Sequence, residues 1–156
     1  MKKFVLACIF ILAGISNEAL AKEVNFDIAQ GHEDWAFSIK GKGRAVIGKT
    51  LIYVKMDNLV TVNNPKHNKA KYIEKISIGF GYLQPDGKWN VRRAHNGEWS
   101  VKKDFPSGHM MSFGNYDAAL WLRNESPEDF WIVITIEMDN RSKVYAHSKK
   151  DVFKTD

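Results

Sequence analysis

Phe130, Ile132, Ile134, Ile136 and Met138 take every second position of one segment, with Thr135 and Glu137 between them. A period of two is the signature of a strand with one buried and one wet face, and helical spacing would scatter those five side chains. The same alternation recurs at Val24, Phe26 and Ile28, at Trp35, Phe37 and Ile39, at Ile52, Val54 and Met56, and at Ile76, Ile78, Phe80 and Tyr82. After residue 21 no segment sustains apolar residues at helical spacing. The expected fold is therefore all-β, an antiparallel β-sandwich, with a small β-barrel as the alternative.

Turn chemistry divides these runs. Gly41-Lys42-Gly43 is expected to break the chain, and Asn63-Asn64-Pro65 to open a polar loop. Gln84-Pro85-Asp86-Gly87 is a turn in which proline presets φ and glycine supplies a positive one. It predicts a hairpin pairing Tyr82 with Trp89 and Phe80 with Val91. A second hairpin is expected at His95-Asn96-Gly97, with Gly97 as the left-handed bulge residue. Trp89, Val91, Trp99 and Val101 would then share an inner face. Arg93 would lie over Trp99, and Arg92 would face solvent. Strands 72–83, 88–94 and 98–104 would form a meander.

The N-terminus has a different character. Lys2 and Lys3 precede an apolar run from Phe4 to Ile15, and Ala19-Leu20-Ala21 follows with small-x-small spacing. That order predicts a signal peptide at 1–21 and a single exported domain at 22–156, periplasmic or secreted. Cys8, the one cysteine, would leave with the signal, so the remaining chain would hold no disulfide or thiol nucleophile. Lys2, Lys3 and Glu18 would leave too, lowering the formal net charge from +5 to +4. A modestly basic surface favours anionic partners, such as an anionic membrane surface, through its general field. Its basic residues are scattered, and nucleic acid is not an expected partner.

Reactive constellations are sparse. No Gly-x-Ser-x-Gly elbow or glycine-rich phosphate loop occurs, and no carboxylate pair is singled out. No catalytic residue and no cofactor is expected. His109-Met110-Met111 sets an imidazole beside soft thioethers, a donor set suited to Cu(I), and gives one alternative, a periplasmic copper-binding protein. Aromatic and basic residues give the stronger lead. Trp121 and Trp131 sit opposite the main apolar faces of their strands, so both indoles are expected to point outward. Arg92 and Arg93, with His95, form a second candidate patch able to grip a carboxylate or phosphate. The resulting expectation is an exported, non-catalytic binding protein that recognises a protein or an envelope polymer. It would be of the inhibitor, immunity or glycan-binding kind. A small membrane-binding cytolysin is a further alternative, on net charge and interface aromatics.

Overall fold

The computed structural model describes residues 21–32, 37–63, 72–104 and 110–154. The expected signal segment up to residue 20, residues 33–36 with Trp35, residues 64–71, residues 105–109 with His109, and residues 155–156 lie outside these. Eight strands form one antiparallel sheet: β1 (Lys22–His32), β2 (Phe37–Ile47), β3 (Leu51–Asn63), β4 (Tyr72–Leu83), β5 (Trp89–Asp104), β6 (Met110–Trp121), β7 (Phe130–Met138) and β8 (Lys143–His147). Their spatial order is β1-β2-β3-β6-β5-β4-β7-β8. The sheet curls until β8 comes beside β1, which nearly closes a barrel. Lys22 Nζ donates to the Lys154 carbonyl at 3.4 Å across that approach. Among the described residues β5 and β6 share one rung, His95 with Ala119. The sheet thus reads equally as two four-strand leaves, and both the sandwich and the small barrel describe it.

The expected inner faces pack the core. Ile52, Val54, Ile76, Phe80, Ile132 and Ile136 are all fully buried. Each such side chain contributes roughly 1.5–3 kcal/mol by leaving water. Phe153, from the turn after β8, fills one end with its ring centroid 6.4 Å from that of Phe80.

Four local expectations are corrected. Gly41 and Gly43 do not break the chain; β2 runs through them with one register shift at Lys42/Gly43. Their bare inner faces make room for Met56 and Phe26, and the turn falls instead at Gly48, whose N–H donates to the Leu51 carbonyl at 2.8 Å. The Gln84–Gly87 turn forms, with Gly87 at φ 81°, but it pairs Leu83 with Trp89 and Tyr82 with Asn90. That is one residue from the expected register, and a one-residue slip reverses every side chain. Trp89 accordingly faces out, 57% exposed. The second hairpin does not exist: β5 is one continuous strand, with no meander. Ser77 pairs with Glu98 and Gly79 with Arg93, so Ala94 to Gly97 of β5 oppose Ile78 alone. This is a large bulge. Its left-handed residue is Asn96, φ 54°, rather than Gly97. Gly97 is needed because a Cβ there would come 2.6 Å from the Ile78 carbonyl oxygen.

Candidate functional site

The β5 bulge and the end of β6 meet at the His95–Ala119 rung, and the site lies there. Arg92, Arg93, Ala94 and His95 form one wall of an open depression of about 370 Å³. Ala119, Leu120, Trp121 and Arg123 form the other. Four of the five expected binding residues, Trp121, Arg92, Arg93 and His95, therefore converge. Three of them come from β5 and one, Trp121, from β6 across the sheet joint. Trp121 is 59% exposed, as the burial of Leu120 and Leu122 on its other side requires.

Arg92 is not the free, solvent-facing group expected. Its Nη1 donates to both carboxylate oxygens of Glu125, at 2.6 and 2.8 Å, and its Nη2 donates to the Trp121 carbonyl at 2.6 Å. Its guanidinium carbon also lies 5.3 Å from the centroid of the Phe130 ring. Glu125 in turn accepts the Arg123 N–H at 3.1 Å. The hydrogen bond from Arg92 holds the Glu125 carboxyl below the usual carboxylate range. Burial opposes the shift, while the Arg123 N–H and the two arginine charges reinforce it. Arg92 and Glu125 together fasten residues 121–125 in place, so they are the frame of the depression.

The remaining cations face its interior more freely. Arg93 does not lie over Trp99. Its Nη2 reaches Glu98 Oε2 at 3.0 Å while three-quarters of its side chain stays exposed. Glu98 also accepts Lys75 Nζ at 3.1 Å, and that bond first, with the Arg93 charge, holds its carboxyl low against the push of burial. Trp99 stacks instead on Tyr116, with centroids 4.5 Å apart. Arg123 is exposed, and its guanidinium has no ion pair among the described residues. Sequence reasoning passed over Arg123, although it stands two positions after Trp121 and so shares its outward side.

Trp131 does not join the site, and its expected exposure is corrected: it is 6% exposed. It does point away from the barrel interior. There it lies across Gly81, its register partner on β4, with Lys150 Nζ 5.2 Å from its ring centroid. The missing side chain at Gly81 makes the space that covers the indole. Of the expected copper ligands, His109 lies outside the described residues. Met110 and Met111 are described as backbone only, paired with Val62 and Thr61. Among the described residues no three or more His, Cys, Asp or Glu gather as a metal cluster, and no helix is long and apolar enough to cross a membrane.

No protein family, curated protein or solved structure matches this chain.

Proposed function

We propose that this chain is an exported binding protein that takes an anionic ligand in the β5–β6 depression and performs no chemistry on it. The observation that carries this is the convergence of Trp121, Arg93, Arg123 and His95 around one small concavity whose frame is already locked by Arg92 and Glu125. Pre-organised donors beside an indole lose little freedom when a ligand arrives, which is what affinity requires. A cavity near the lower end of the roughly 300–1,000 Å³ typical of ligand sites suits a small group or a polymer end.

The test is calorimetric titration of residues 22–156 with polyglutamate, polygalacturonate and polyphosphate. At least one should bind, and Arg123→Ala and Trp121→Ala should each weaken it about tenfold while the unfolding midpoint holds. The polymers should be recovered at full length. Absent binding, unchanged affinity in both variants, or shortened polymer would each overturn the proposal.

One observation favours the membrane alternative. Leu83 and Trp89 are cross-strand partners at the β4–β5 hairpin tip, 62% and 57% exposed, with Lys88 beside them. Such a tip can enter a bilayer interface. Vesicles with and without anionic lipid belong in the same panel; failure to co-sediment with either removes this alternative.

A further inference from the structure

The depression offers two unlike surfaces side by side. One is the exposed face of Trp121. The other is a set of cationic donors, Arg93 and Arg123, with His95 on the bulge between the strands. The ligand that satisfies both has a flat, C–H-lined ring for the indole and an anionic group within reach of the guanidinium forks. A sugar ring bearing a carboxylate or phosphate has both. An extended acidic peptide supplies the charge but no rigid ring.

The surroundings also argue against a broad protein interface. Stable ones bury about 800 Å² per partner around a core depleted of charge. Beyond Trp121 the outer face of β3 and β6 carries Tyr53, whose hydroxyl donates to Asp117 at 2.7 Å, and then Asp57, paired with Arg44 at 3.4 Å. The apolar surface around the indole is therefore small: the partly buried Leu51 and Ala119 and the ring of Tyr53, before the charged pairs begin.

We infer that the ligand is an acidic glycan, bound with one sugar ring on Trp121 and its anionic substituent between Arg93 and Arg123. This rests on the binding role proposed above and narrows it. Arg92 is given no direct contact in this arrangement, because three of its five N–H donors already go to Glu125 and the Trp121 carbonyl. It is a positioning residue that sets the backbone from which Trp121 projects.

The experiment compares four probes on residues 22–156: trigalacturonate, glucose 6-phosphate, maltotriose and triglutamate. Trigalacturonate or glucose 6-phosphate should bind, and which of the two is tighter separates a carboxylate source from a phosphate one. Maltotriose and triglutamate should each be weaker by about tenfold or more. Trp121→Ala should remove the preference over triglutamate, and Arg123→Ala the preference over maltotriose. Triglutamate binding as tightly as trigalacturonate would overturn the glycan inference and leave the anion-binding role standing. Maltotriose binding as tightly would overturn the anionic part. No binding of any probe, here and in the polymer panel, would overturn both.

Discussion

Trp131 and Gly81 make a sharp test of how this barrel covers its outside. The indole lies over its glycine partner so closely that a Cβ on residue 81 would stand 2.5 Å from Trp131 Cε2 and 2.9 Å from Cζ2. Real Cβ atoms do not approach so near, so Gly81→Ala must evict the ring. A buried tryptophan removes about 150–250 Å² from water, which at ~25 cal/mol per Å² sets an upper bound of roughly 4–6 kcal/mol. The site lies on the outer face, where neighbours relax, so a loss of about 3 kcal/mol is expected for Gly81→Ala and for Trp131→Ala alike. With the indole gone, the three atoms that an alanine methyl at 81 would meet first are gone with it. The alanine should then help by roughly 0.5–1 kcal/mol, since glycine weakens a strand interior. Urea unfolding of the two single variants and the double variant, followed by far-ultraviolet circular dichroism, closes the cycle. The expected coupling is about 3.5–4 kcal/mol, with the double variant no worse than Trp131→Ala. If Gly81→Ala costs the same in both backgrounds, the ring is not held by the glycine and this account of its burial is wrong.

Two further expectations concern the frame of the depression. Glu125 titrates below its ordinary value in the folded chain, so its pairing with Arg92 stabilises fully above the unfolded carboxylate pKa of ~4.3 and is lost as pH falls through the depressed folded value. Glu125→Gln should lower stability by about 1 kcal/mol at neutral pH, a figure discounted because the pair is about one-third exposed, and should flatten the acid limb of the stability curve; an acid limb identical to the wild type would contradict it. Gly97→Ala should cost about 1–3 kcal/mol in the same urea assay because the new methyl presses on the Ile78 carbonyl; a neutral result would mean that the bulge yields easily.

Much of the architecture could be read from side-chain alternation, because one-sided burial stamps a period of two on the chain. Ile132, Ile134 and Ile136 are buried on the expected face, and Leu120 and Leu122 correctly left Trp121 outside. Registers were less legible. The alternation of Trp89, Val91, Trp99 and Val101 suited a tight hairpin at His95–Gly97 as well as it suits a bulge, and a bulge has no composition of its own. Nothing local marks β6 as the neighbour of β3 and β5, since that adjacency is set by long-range closure of the sheet. Trp131 went astray for a related reason. Its outward direction could be read, but the glycine beneath it lies on a different strand, fifty positions earlier in the sequence. The site was half legible: Trp121, Arg92, Arg93 and His95 were candidates as two separate patches. Their meeting depended on the bulge, and Glu125, which turns Arg92 from a ligand donor into a strut, carried no local signal.

The rung between His95 and Ala119, the one that β5 and β6 share among the described residues, has a kinetic meaning. Within the order β1 to β8 every other pair of neighbouring strands shares at least five rungs, while β5 and β6 share one among the described residues, so the easiest internal line of parting lies there. Amides of residues 94–97, which oppose Ile78 alone on one side and share a single rung with β6 on the other, should trade hydrogen for deuterium well before those of β4 and β7. A guest seated across the joint would clasp both leaves at once, so occupancy would be felt as slower breathing of the whole cylinder.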